Sequence, residues 1–226
     1  MVWGISRMAE SWEELVDRAE QASTKIQFDQ AKQLLEQALV LADQFEARDS
    51  RLIQNLHKLA EACHRTGCDD LAEEHLKRAI AVNTSNFGPY HKNVADSANH
   101  LASIYYEQSR FPEAEKLCRQ IVNTYEKSLG SQHLEVGKVS QNLAMILQEQ
   151  NKVQEAETFY AKALKIMREC AGPFDSDIIS LLENYANLLR SAGRIDEADH
   201  LQACALGRVS GSLRSVTSTR IPQVDI

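Results

Sequence analysis

The chain has 226 residues, 43% of them hydrophobic, and a formal charge of -7. That balance excludes a general attraction to nucleic acid or to an anionic membrane surface, and no run of 18 apolar residues exists that could span a bilayer. Nine Gly and four Pro are few, which favours helix over an all-β fold.

The opening stretch, MVWGISRMAESWEE, has neither a long apolar core nor a cleavage site, so no secretory signal is expected. Residues 1–9 are read as a separate N-terminal segment, with Val2 and Trp3 either packed on the first unit or loose, and partial order the expectation. The five cysteines, Cys63, Cys68, Cys118, Cys170 and Cys204, are odd in number and irregularly spaced. They point away from a disulfide framework and toward a reducing, cytoplasmic setting.

From residue 10 onward the chain repeats itself. Alanine recurs at Ala19, Ala60, Ala102, Ala144 and Ala186, and again twelve residues later at Ala31, Ala72, Ala114, Ala156 and Ala198, with steps of 41 or 42 residues. A period of that size signals stacked supersecondary units. The first unit, about 10–47, carries Ala19, Phe28, Ala31, Leu35 and Ala38, but its inter-helix turn holds Ile26 and its end lacks glycine. The second, about 48–88, carries Leu52, Leu59, Ala60, Ala72 and Ala79 and ends in Phe87-Gly88. In the third, about 89–130, Val94, Ala98, Leu101 and Tyr105 share one helical face. Pro112 then opens a second helix with Ala114, Leu117, Cys118, Ile121 and Tyr125 on one face, closed by Leu129-Gly130, where a left-handed glycine is expected. The fourth, about 131–172, repeats this with Val136, Leu143, Ala144, Leu147, Ala156, Tyr160 and Ala163 and ends in Ala171-Gly172. The fifth, about 173–206, has Ile178, Tyr185, Ala186, Leu189, Ala198 and Ala205. Gly67, Ser109, Asn151 and Gly193 mark the turns between helices. Each unit is therefore an antiparallel pair, helix A then helix B.

A methyl group at the alanine positions lets helices approach closely, and larger groups such as Leu101, Leu143 and Tyr185 fill the space around them. Residues 207–226, rich in Ser, Thr and Arg, show no helical stripe and are expected to be a flexible tail. That tail could fold back as a self-inhibitory strand, or be modified around Arg208-Val209-Ser210.

Small residues at the eighth, twentieth and twenty-seventh positions of a helix-turn-helix unit resemble the tetratricopeptide pattern. The stretches YHKNVADSANHLASIYYEQSRFPEAEKLCRQIVNTYEKSLG and HLEVGKVSQNLAMILQEQNKVQEAETFYAKALKIMRECAG are similar to its 42-residue variety, familiar from kinesin light chains and bacterial repeat proteins. The likeness runs over about residues 10–206, with Ile121 replacing alanine at one twenty-seventh position. It implies an all-α, right-handed superhelical solenoid of five antiparallel helix pairs. No long heptad segment precedes the repeats, so the resemblance implies a binding array and not a motor subunit.

In that family the helix A faces line a concave groove, and the sixth position of a unit often holds a peptide backbone or a carboxylate. Here the sixth positions are Lys58, His100, Asn142 and Asn184. The residues the resemblance assigns to the groove are Lys58, Asn99, His100, Tyr106, Lys138, Asn142, Asn184, Asn187 and Arg190. His57, His64, Arg65, Gln141 and Gln148 lie around them. Amides pair with peptide N–H and C=O groups, and ammonium groups hold carboxylates. Glu13, Asp17 and Glu20 make the N-terminal end acidic, Glu61, Asp96, Glu107, Glu149 and Glu183 share the surface, and toward the less acidic middle and C-terminal end a partially acidic or polar peptide is expected. The expected role is a non-catalytic adaptor for a protein or peptide partner, with no nucleic acid, no membrane, no cofactor and no metal. The alternative is a structural subunit of a homodimer or larger assembly that uses its terminal repeats or convex face.

His57, Cys63, His64, Cys68 and His75 cluster in the second unit, but the spacing in CHRTGC suits core packing better than convergent zinc ligands. No Ser-His-Asp order, HExxH, GxSxG or phosphate-binding glycine loop is present, so an enzyme is not expected. The pairs Glu73-Glu74 and Glu113/Glu115 are read as first-turn acids that complement helix dipoles.

Overall fold

The computed structural model describes residues 10–46, 49–170 and 176–205, which form ten α-helices and no strand. The expectations for residues 1–9, for Ala171-Gly172 and for the 207–226 tail lie outside the described residues. The chain divides into two compact units, Met1–Ile104 and Tyr105–Ile226. In the first, α1 (Trp12–Thr24), α2 (Phe28–Ala42), α3 (Ser50–Arg65) and α4 (Asp69–Phe87) pack in succession, followed by most of α5 (Lys92–Glu107). In the second, α6 (Phe111–Leu129), α7 (Leu134–Glu149), α8 (Val153–Cys170), α9 (Ser176–Ser191) and α10 (Ile195–Ala205) do the same.

Local chemistry sets the helix ends. Ser11 caps α1 by accepting from the Glu14 N–H at 3.2 Å, while the Ser11 N–H donates to Glu14 Oε2 at 2.9 Å, a reciprocal capping box. Asp49 Oδ1 accepts from the Arg51 N–H and caps α3. Pro112 sits in the first turn of α6, where no N–H partner is lost.

The turn inside each helix pair is the same motif five times. A residue with positive φ follows helix A at Ile26 (60°), Gly67 (73°), Ser109 (59°), Asn151 (58°) and Gly193 (76°). In each, that residue's N–H bonds the carbonyl three residues back. The next residue's N–H reaches five back, as in Gln27 to Ala22, Cys68 to Cys63 and Lys152 to Leu147. These paired bonds satisfy the last carbonyls of helix A. The first repeat therefore keeps the turn despite its β-branched residue, and Ile26 stands 77% exposed in a left-handed conformation that costs such a side chain about 1–2 kcal/mol. Gly130 departs from the left-handed form expected of it, and Gly88 adopts the same conformation. Their ψ values of 164° and 151° at φ of 87° and 96° place them in an extended, positive-φ region open in practice to glycine alone.

The alanine series lies where the helices meet. Ala31, Ala72, Ala114, Ala156 and Ala198 are each 0% exposed, and Ala19, Ala60, Ala102, Ala144 and Ala186 are at most 3% exposed. Leu59, Leu101, Leu143 and Tyr185, each one residue before its alanine, are buried around these contacts. Ile121 is also buried, so the larger side chain at that twenty-seventh position is absorbed by the packing. In the first repeat the equivalent of those leucines is Arg18, exposed and paired with Glu10, so α1 presents charge where later repeats present core. Gly137 serves the same end as the alanines: a Cβ there would meet Met167 Cγ at 2.9 Å.

These contacts set two stability outcomes. Ala156→Leu should cost roughly 1–3 kcal/mol in urea unfolding through overpacking, whereas leucine at the exposed Ala192 should change stability by less than about 0.5 kcal/mol. Ile26→Gly should raise stability by about 1 kcal/mol, the relieved backbone strain exceeding glycine's entropic penalty.

Candidate functional site

The helix A face of the first unit is built by α1, α3 and the start of α5. Lys58 is half-buried and donates from Nζ to Glu20 Oε1 at 2.6 Å, tying α3 to α1. Arg51 Nη1 reaches Glu13 at 3.0 Å, bonds Asp49 and lies over the Phe45 ring at 3.7 Å, with Trp12 edge-on to Phe45. Asp17 and Glu61 are exposed and make no ion pair among the described residues. His100 is exposed, its ring 4.7 Å from that of His57, and the half-buried Asn99 side chain beside it makes no hydrogen bond among the described residues.

Behind His100 lies a buried polar relay. Asn83 Nδ2 donates to the Asn93 carbonyl at 3.1 Å and to Ser97 Oγ at 3.0 Å. Ser97, fully buried, thus has its hydroxyl proton available for His57 Nε2 at 2.9 Å, which the neutral imidazole accepts. Burial, and then the neighbouring His100 ring, pulls His57 down to about 4 against a weaker upward pull from Asp96.

In the second unit the corresponding face is formed by α7 and α9, with Tyr106 at the end of α5. Tyr106 is half-buried and edge-on to Phe111 at 5.7 Å. Lys138 pairs with Asp177 at 2.9 Å. Asn142 is exposed and its side chain makes no hydrogen bond among the described residues, whereas Asn184 Nδ2 lies 3.7 Å from Met145 Sδ. Arg190 bonds Asn187 at 3.4 Å, Asp199 at 3.1 Å and also Gln202. Several residues assigned to a ligand are thus already engaged within the array, and the amides of Asn99 and Asn142 stand outside that engagement.

The helix B side carries a ladder that the sequence pattern alone did not disclose. Glu115, largely shielded from solvent, accepts from Lys152 Nζ at 2.6 Å, Gln150 Nε2 at 2.8 Å and Arg119 Nε at 3.0 Å. One repeat on, Glu157 accepts from Arg194 Nη1 at 2.7 Å. The equivalent pair in the first unit is Lys32 Nζ and Cys68 Sγ, 3.4 Å apart. Glu115 is therefore a bridge between repeats and not the dipole complement expected of it, a role Glu113 retains with its i−3 partner Arg110. Glu73 and Glu74 lie in the second turn of α4, whose first-turn acids are Asp69 and Asp70. The signal was present: acids 42 residues apart, each followed 37 residues later by a base.

The histidines and cysteines of the second repeat do not converge. His64 Nδ1 bonds Asp69 at 2.6 Å, His57 turns to Ser97, and burial pushes the Cys63 thiol up to about 11. Among the described residues no group of three or more His, Cys, Asp and Glu could hold a metal ion. No described helix is long and apolar enough to cross a membrane.

The relay has a pH consequence. Folded His57 stays neutral down to about 4, whereas an unfolded histidine takes up its proton near 6.5. The unfolded chain thus binds more protons in that window, and stability present above 6.5 is lost as pH falls through it. Urea titrations at pH 7 and pH 4.5 should show a loss for the native chain that exceeds the loss for His57→Gln by on the order of 1–2 kcal/mol. Equal losses would remove His57 from the account.

Residues 51–127, 93–169 and 139–209 match the sequence profile of the tetratricopeptide repeat. No curated protein sequence matches the chain significantly. Among solved structures, the chain is similar to BtubC (BKLC) from P. vanneervenii, with TM-score 0.76 and 22% identity over 95% of this chain and 84% of that one. It is similar to a putative kinesin light chain of Podosopora anserina with nearly identical TPR-like repeats, with TM-score 0.72 and 21% identity over 92% and 97% of the two chains. It is also similar to pilF of Pseudomonas aeruginosa, with TM-score 0.61 and 19% identity over 91% and 79%. At these identities the structural likenesses speak for the fold alone, whereas the profile covers well over half of the sequence: the chain belongs to the tetratricopeptide repeat family.

Proposed function

We propose that this chain is a non-catalytic adaptor that holds an extended peptide or protein segment on its helix A faces. The tetratricopeptide repeat is in general a scaffold for protein partners, which supports the broad reading. The finer reading rests on one observation: among the described residues the side-chain amides of Asn99 and Asn142 on the helix A faces make no hydrogen bond, Asn142 being the exposed one. An amide of this kind pairs with a peptide's N–H and C=O groups at once, and it is indifferent to side-chain sequence. In this reading Asn99 and His100 act on the first unit's face. Asn142, Asn184 and Asn187 act on the second unit's face, with Tyr106 as an apolar contact. Lys138 and Arg190 contribute by exchanging their internal carboxylates for a partner's, whereas Lys58 stays with Glu20.

The double variant Asn142→Ala, Asn184→Ala tests the reading. Each amide contributes about 0.5–1.5 kcal/mol, so capture of partners from native cells should weaken about tenfold or more, with unchanged helical circular dichroism. An unchanged set of partners at unchanged affinity would show that the α7 and α9 faces do not hold them.

A further inference from the structure

A cavity of about 270 Å³ opens between α1, α2 and α3 of the first unit. That is slightly below the size of ordinary small-ligand pockets and suits one side chain better than a whole molecule. Its floor is apolar, formed by Leu35 and Ala62, both buried, with Phe28 beside them. Its rim is polar, carrying Glu20, Lys58 and Glu61.

The charges at that rim do not cancel. Lys58 is already satisfied by Glu20 at 2.6 Å. Glu61, exposed one helical turn further along α3, makes no side-chain hydrogen bond or ion pair among the described residues. Ser23 and Thr24, which complete the wall, belong to the last turn of α1, and that turn carries no basic residue. The C-terminal end of α1, the negative end of its dipole, thus shares the cavity wall with Glu61. Lys25, the C-cap residue, is exposed and does not line the cavity.

We propose that this cavity is a subsite for one basic side chain, arginine or lysine, of a bound peptide. The aliphatic stem lies on Phe28, Leu35 and Ala62, in the manner of long cationic side chains that cover apolar surface and keep the charge in water. The cationic head meets Glu61 at the mouth. An acidic side chain is disfavoured because the one lysine lining the cavity is engaged with Glu20 and the other lining charge, Glu61, is negative. The subsite deepens the adaptor reading: it lies on a helix A face, it gives that face a preference for a positively charged residue, and it depends on none of the second unit's amides.

The test is an amide-resolved NMR titration of the full chain with Nα-acetyl-arginine amide. Its neutral isostere Nα-acetyl-citrulline amide and the acidic Nα-acetyl-glutamate amide serve as comparators. Saturable shifts should appear at residues 20–28 and at Glu61 and Ala62, with about tenfold weaker binding of the citrulline probe. The variant Glu61→Gln, an exposed position where folding is not at stake, should weaken the arginine probe by a similar factor. Absence of a saturable shift overturns the proposal, as does equal binding of arginine and citrulline probes, tighter binding of the glutamate probe, or an undiminished response in Glu61→Gln. The Asn142→Ala, Asn184→Ala variant should bind the arginine probe as the native chain does. Failure of the subsite and failure of the α7–α9 reading are therefore separately visible.

Discussion

The contact on which everything else depends is a methyl group against a neighbouring helix. At ten positions, two per repeat, alanine is almost wholly removed from solvent at the junction of helices. Interiors are packed as tightly as organic crystals, so a helix pair meeting at alanine has no slack to take up a longer side chain. Leucines and a tyrosine one residue before the helix A alanine of the second to fifth repeats surround those contacts and supply apolar area that drives burial. Small residues set the distance and large ones supply the driving force, and the 41–42-residue spacing brings both back in phase from the second repeat onward.

Polar groups then fix the register between successive repeats. On the helix B side, Glu115 with Lys152 and Glu157 with Arg194 repeat one geometry across two junctions. On the helix A side, Lys58 with Glu20 and Lys138 with Asp177 do a similar task. Pairs at the surface contribute little individually, but Glu115 accepts three bonds while largely shielded from solvent, where loss of a partner is costlier. Residues that join repeats and residues that could meet a ligand thus share the helix A faces. A partner that recruits Lys58 or Lys138 must compete with a carboxylate already in place.

Fold and site differ in how far the sequence discloses them. The helix pairs were readable because alanine burial is periodic and because Gly67 and Gly193 announce a left-handed turn. Ile26 adopts the same turn without announcing it, since the paired backbone bonds to Ala22 and Ser23 impose the conformation on whatever residue stands there. Gly88 and Gly130 were recognisable as helix ends, yet glycine permits two positive-φ regions and composition does not say which is used. The groove residues were assigned from family positions, which identify a face but not what each side chain does on it. Arg190 reaching Asp199 and Gln202, and Asn184 resting against Met145, depend on rotamers and neighbours that no single repeat encodes. The relay from Asn83 through Ser97 to His57 joins three helices, and its members are separated by 14 and 40 residues, beyond the reach of local pattern.

The most direct check is the solvent accessibility of alanine methyl groups, read by NMR in a ¹³C-methyl-alanine-labelled chain with a soluble paramagnetic agent. The account predicts sharp, unperturbed signals for Ala31, Ala72, Ala114, Ala156 and Ala198, and strong broadening for the exposed Ala81 and Ala192. Broadening of the five helix B methyls to the extent seen for Ala192 would mean that the helices do not meet at these residues, and the packing of the repeats would have to be different.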